Sequence, residues 1–267
     1  VSRIWKFNLF LLALIIIAIL YVMFMNKSEE VAPAPKPVIA VKPSVEIIEQ
    51  GESIYGYTST GETPQGDSER VYFAKALTIT NPHDFPITII GAINDTYDTS
   101  DSRISSDEGF GFVTRRTLAP GEVAHVAGTV YLSEINFRED FGSSEITFDL
   151  VKEEGASVPY TNLDTLSTSY RFEDADPGNT LLKIDAEFGN SSTLNVDTSK
   201  LQFVVYFYDS NGTLIGGDTK TYITYTPERI RPGEQKQISF DGALLGRELS
   251  RDVGSIKVFA GCGNCKA

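Results

Sequence analysis

The chain has 267 residues, and its 23 basic side chains stand against 36 acidic ones, a formal net charge of −13. An acidic balance of that size repels phosphate backbones and speaks against a nucleic-acid partner. Two cysteines and two histidines exclude a disulfide-dense scaffold and a histidine-rich metal centre, while 41% apolar and 22% charged residues are those of a folded globular chain.

Phe7 to Met25 reads FNLFLLALIIIAILYVMFM, with Asn8 as its one polar side chain. As a helix it would span about 28 Å, the thickness of a bilayer's hydrocarbon. A cleaved signal peptide is the competing reading, but its apolar region is normally shorter. Ala32-Pro33-Ala34 fits a small-x-small cleavage pattern, yet Pro35 follows it. Arg3 and Lys6 precede the segment and Lys27, Glu29 and Glu30 follow it. The positive-inside bias then keeps the N-terminus in the cytoplasm and exports everything beyond Asn26. Residues 1–27 are thus expected to be a cytoplasmic stub and a single transmembrane helix, contacting the membrane through residues 7–25.

Residues 28–44 are expected to be a linker. Val31 to Ser44 carries prolines at 33, 35, 37 and 43. Proline fixes φ and removes an amide donor, which favours extended polyproline II over about 43 Å.

Beyond residue 44 the apolar period is two. VYFAKALTIT at 71–80 places Val71, Phe73, Leu77 and Ile79 on one face. Further runs follow at 86–93, 122–132, 145–151, 181–188, 201–208, 219–226, 235–240 and 255–260, with Gly, Pro, Asn and Asp clusters between them. That pattern predicts an all-β fold of two tandem β-sandwiches, each of about seven strands. The expected bounds are 45–155 for the first and 169–267 for the second, with a polar interdomain linker at 156–168.

The two parts also match each other. Pro120-Gly121-Glu122 corresponds to Pro232-Gly233-Glu234, Tyr97-Asp98 to Tyr208-Asp209, and Asn81 to Asn190. A Pro-Gly pair before a strand predicts a type II turn with glycine supplying positive φ. A period near 110 residues means tandem domains rather than a solenoid.

Val205-Tyr206-Phe207-Tyr208-Asp209, followed by Asn211-Gly212, resembles the F-x-L-Y-D motif of the FxLYD-type domains. Val205 stands where that motif has Phe and Phe207 where it has Leu, while Tyr208 and Asp209 match. The resemblance covers roughly residues 169–262 and extends more faintly to 70–152. It implies Ig-like sandwiches, commonly tethered outside a prokaryotic membrane. The motif itself reads as structural: Asp209 would accept amides in the turn and Tyr208 would pack on the sandwich.

Cys262-Gly-Asn-Cys265 is compatible with a local disulfide, a half zinc site or a redox pair. In an oxidising compartment the disulfide is the default. Asn94 to Gly109 is acidic and hydroxyl-rich, and Asp95, Asp98 and Asp101 are candidate Ca²⁺ ligands, although their spacing is not that of an EF-hand loop. The alternative is a solvated hairpin. Asn94, Asn190 and Asn211 each head a glycosylation sequon and equally read as turn residues. No catalytic motif stands out, so no catalytic residue and no cofactor is expected. The sequence therefore points to a non-enzymatic binding or structural module, held outside the membrane and meeting an envelope protein or glycan. A subunit of a membrane-associated assembly is the alternative, and a metal-dependent or carbohydrate-active protein the third choice.

Overall fold

The computed structural model describes residues 14–22, 42–58, 69–107, 116–153, 160–176, 179–221 and 228–263. The chain divides into two units, Val1–Val41 and Lys42–Ala267. In the first, residues 14–22 are helical and their side chains are exposed. Among the described residues no helix is long and apolar enough to cross a membrane. The rest of the 7–25 segment and the proline run at 31–41 lie outside the described residues.

The second unit is built from strands in two successive passes. β1 (Glu46–Thr58), β2 (Glu69–Thr80), β3 (Ile87–Asp98), β4 (Arg103–Asp107), β5 (Arg116–Leu118), β6 (Val123–Leu132) and β7 (Phe141–Lys152) form the first half. β8 (Tyr160–Asp176), β9 (Asn179–Gly189), β10 (Val196–Asp197), β11 (Leu201–Tyr208), β12 (Leu214–Thr221), β13 (Arg229–Ile230), β14 (Gln235–Gly246) and β15 (Ser255–Gly263) form the second. All the pairings are antiparallel.

In the first half, one sheet runs β1-β2-β6, and in the other β3 carries β4 and β5 on one edge and β7 on its opposite edge. The second half repeats this plan as β8-β9-β14 and β12-β11-β15. There the start of β8 also pairs with the end of β15, Leu163 opposite Ala260, joining the six strands into one sheet.

The period-two pattern explains the cores. Leu77 and Ile79 of β2 meet Ile87 and Ile89 of β3, with Leu118 and Val126, all without exposed surface. In the second half Leu182, Ile184 and Phe188 of β9 meet Phe203, Val205 and Phe207 of β11. The apolar face of β2 has one interruption, Lys75. Its ammonium lies 3.1 Å from Glu52 and 2.6 Å from the Ser144 hydroxyl, so the charge is satisfied where it is buried.

Two stretches differ from the sequence reading. Residues 160–168, expected as linker, are the first half of the 17-residue strand β8. Their threonines and tyrosine suit a pleated edge, and the ladder to β9 and β15 supplies the order that apolar alternation did not announce. Residues 46–58, not among the runs picked out by alternation, form β1 along β2. The acidic stretch after Asn94 continues β3 and turns back as β4, forming a hairpin.

Candidate functional site

The repeat is visible bond by bond. Asn81 Nδ2 donates to the carbonyls of Phe85 (2.9 Å) and Leu118 (3.0 Å), and its Oδ1 accepts from the His83 amide. Asn190 Nδ2 donates to Leu194 and Ile230 (2.8 Å each), and its Oδ1 accepts from the Ser192 amide. Both asparagines are 1% exposed. The backbone of each then holds a proline turn. The amides of Gly121 and Gly233, at φ of 72° and 78°, donate to the carbonyls of Asn81 and Asn190. The Glu122 and Glu234 carboxylates accept from the Ala119 and Arg231 amides, closing the turns from outside.

The Tyr-Asp pairs match as well. Asp98 Oδ1 accepts from the amides of Ser100 (2.8 Å) and Ser102 (2.9 Å). Asp209 Oδ1 accepts from Asn211 and Thr213 (2.8 Å each). Hydrogen bonds from the Ser100 hydroxyl and the loop amides hold Asp98 below the usual carboxylate range, and the Thr213 amide does the same for Asp209.

The halves meet where the outer face of β1-β2-β6 packs on the outer face of β12-β11-β15. Small side chains make this close contact possible. A Cβ on Gly217 of β12 would sit 2.8 Å from the Ala127 Cβ and 3.1 Å from that of Ala76, so only glycine fits there. Ala76 and Ala127 pack with Val204, Tyr206, Tyr208 and Leu214, against which Phe259 also lies. Polar groups lock the apolar centre. The Tyr206 hydroxyl donates to the Leu77 carbonyl and lies 3.3 Å from the Thr78 hydroxyl, and burial pushes it well above the ordinary tyrosine range. Thr129 donates to the Gly217 carbonyl at 3.2 Å, Thr219 to that of Ala127 and Ser53 to that of Ile215, while Arg138 pairs with Glu248. Each half thus satisfies backbone groups of the other, which separate sandwiches on a flexible joint would leave to water.

His125 and Asp218 are ionisable groups of this contact with shifted pKa values. His125 of β6 is stacked on Phe259, ring centroids 3.5 Å apart, with Tyr206 edge-on at 5.5 Å. Burial first, and then the Arg116 and Lys257 cations, push its pKa down to about 4. Asp218 of β12 is 7% exposed, and burial raises its pKa despite Lys220 at 3.5 Å. Opposite shifts from the same cause mean that the contact favours the neutral form of each.

Most of the positions matching this contact in the other half carry charge. Ala74, Ala76 and Ala127 correspond to Lys183, Asp185 and Ser239, and Tyr206 and Lys257 to Asp95 and Glu145. Lys183 pairs with Asp241 at 2.6 Å, and Arg171 with Glu173 at 2.9 Å and Asp185 at 3.4 Å. The two free outer faces therefore present solvated ion pairs where the buried pair of faces presents alanine, glycine and aromatic rings.

Tyr208, expected to pack on its own sandwich, lies in the contact, with the Lys257 ammonium 4.6 Å from its ring centre. Asp95 faces Arg103 at 3.5 Å, and Asp98 is turned into its own loop. Among the described residues no three acidic, histidine or cysteine side chains come together as metal ligands. Of the sequon residues, Asn94 and Asn190 are buried and Asn211 is exposed at the β11–β12 turn. Cys262 is fully buried and disulfide-bonded, and Cys265 lies outside the described residues. The sequence reading missed His125 and Asp218. The signal that marks their surroundings is the exchange of charged for small residues between matched positions of the repeat.

No family model and no curated protein matches the chain. Among solved structures, the chain is similar to beta-glucuronidase 2 from Bacteroides uniformis bound to cyclophellitol-6-carboxylate aziridine, at 13% identity and a TM-score of 0.22. A calcium-binding mutant of that enzyme matches at 11% identity with the same TM-score. Each match covers 77% of this chain and 28% of the other, so this chain spans under a third of the length of those enzymes. A likeness of that size carries neither fold nor activity to this chain.

Proposed function

We propose that this chain is a membrane-anchored, extracytoplasmic, non-enzymatic module of the cell envelope, two tandem Ig-like sandwiches of FxLYD type that bind or support an envelope protein or glycan. The observation that carries this reading is the contact between the halves. Closely packed small residues and side-chain bonds to the opposite backbone fix the two repeats as one body. A fixed body holds its outer faces and turns at set distances, which is what a presenting or bracing element needs and what a flexible tether does not provide. The helical residues 14–22 support the anchor. Their large apolar side chains run from 49% exposed at Leu14 to 65% at Tyr21, an arrangement favourable in lipid and costly in water.

The same exposed helix surface also favours a second reading, a subunit whose membrane helix packs against those of an assembly. Cross-linking in native membranes, followed by mass spectrometry, tests the proposal. Reproducible links from residues 42–267 to one or two envelope components are expected. Links to self alone would overturn the partner-binding reading, and links confined to the N-terminal segment would favour the assembly subunit.

A further inference from the structure

We infer that His125 is an acid-operated latch between the two halves: neutral, it is clamped between the rings of the second half and keeps the repeats docked, and protonated, it forces them apart.

The latch is built from both sides. From the first half, β6 supplies the imidazole and β5 supplies Arg116, whose guanidinium lies 3.4 Å from Glu122 and 4.4 Å from the Tyr160 ring centre. β1 supplies Glu49, held at 3.5 Å by the Thr78 hydroxyl and turned towards Tyr208. From the second half, β15 supplies Phe259 and Lys257, and β11 supplies Tyr206 and Tyr208. The imidazole Nδ1 is buried without a hydrogen-bond partner, so a proton arriving there finds no acceptor. Phe259 has no acceptor to offer, and the Tyr206 hydroxyl, which donates to Leu77, makes no hydrogen bond to Nδ1. The cations acting on the ring, Arg116 and Lys257, belong to opposite halves. A proton on His125 therefore adds a positive charge to a largely buried ring already under the influence of the Arg116 and Lys257 cations, and parting the halves returns that ring to water.

The core of the first half is distinct from this contact, while Tyr55 and Ala74 of the first half reach into the core of the second and would leave it on separation. Leu77 and Ile79 keep their partners in β3, and Phe188 and Phe203 keep each other. The corresponding residue of the second half is Gln237, which carries no titratable group.

Linkage sets the size of the effect. A histidine titrating near 4 when docked and near the ordinary 6.5 when free lowers the docked-to-parted ratio by roughly two orders of magnitude between pH 7.5 and pH 4. This inference stands apart from the membrane anchor, and a failure of either leaves the other intact.

The experiment is amide hydrogen exchange on the full chain in detergent, at matched intrinsic exchange, from pH 7.5 down to pH 4. Amides around Ala127 and Gly217 should lose protection below about pH 5, while those of β9 and β3 keep theirs. His125→Phe keeps the stacking without the proton and should stay docked to pH 4, and His125→Gln, matching position 237, should do the same. Retained protection around Ala127 and Gly217 in the native chain at pH 4 would overturn the latch. So would equal loss in the native chain and both variants, or loss of β9 in step with the contact.

Discussion

Asn81 and Asn190 occupy one structural position 109 residues apart, each donating to the carbonyl four residues ahead and to a carbonyl before the next proline turn. Neither lies in the core alternation. Each ties a strand end to the turn that launches a later strand, so a single buried amide fixes the corner of its half.

Replacing Asn190 by alanine should therefore cost about 2–4 kcal/mol, because two buried carbonyls and two donors lose their partner together. Asn190→Asp should rescue little, since a carboxylate cannot donate to the Leu194 and Ile230 carbonyls. Denaturant unfolding checks both, and a loss below about 1 kcal/mol for Asn190→Ala would show the carbonyls satisfied otherwise.

Gly217 is one of the close approaches between the halves. Gly217→Ala should loosen the contact, since the new methyl group meets the Val205 carbonyl at 2.4 Å and the Ala127 methyl at 2.8 Å. The expected cost is about 1–3 kcal/mol. Limited proteolysis should then release the two halves separately. Gly121→Ala meets no neighbour and strains only the backbone at positive φ, so it should cost about 1–2 kcal/mol without separating the halves.

Asp218 predicts a pH dependence of the opposite sign to that of His125. Its folded pKa is raised, so the unfolded chain loses this proton first as pH rises. Its contribution to stability is present below the ordinary value of 3.8 and is lost as pH climbs through the raised folded value. The stability of Asp218→Asn relative to the native chain should therefore improve from pH 4 to pH 7.5. A difference that stays flat over that range would mean that Lys220 keeps the carboxylate charged throughout.

Tyr206→Phe removes the hydroxyl that bridges to Leu77 and Thr78 and should cost about 1–2 kcal/mol. The loss should show as faster amide exchange in β2 and β6, with β9 unchanged. An effect spread evenly over both halves would place the hydroxyl's role in the core rather than in the contact.

Much of this architecture is legible in the amino-acid sequence because it rests on local rules. Alternation marks the apolar face of β2, the Pro-Gly pairs mark turns whose glycines take positive φ, and constant offsets mark the repeat. β1 and β8 were less legible. Their residues alternate weakly and gain order from pairing with β2 and β9, a long-range effect that no short window reveals. The contact between the halves is hidden for another reason. Ala74, Ala76 and Ala127 are unremarkable as residue types and become informative only beside Lys183, Asp185 and Ser239. His125 likewise gains meaning from Phe259, more than a hundred residues away.

Under the proposed function, a fixed pair of repeats stands outside a membrane on its own helix. Labelling intact cells with a membrane-impermeant amine reagent, followed by carbonate washing of the membranes, tests this most directly. The prediction is a chain retained in the washed membrane, with exposed lysines such as Lys152 and Lys200 modified before lysis. Release of the chain by carbonate, or modification of those lysines only after lysis, would contradict it.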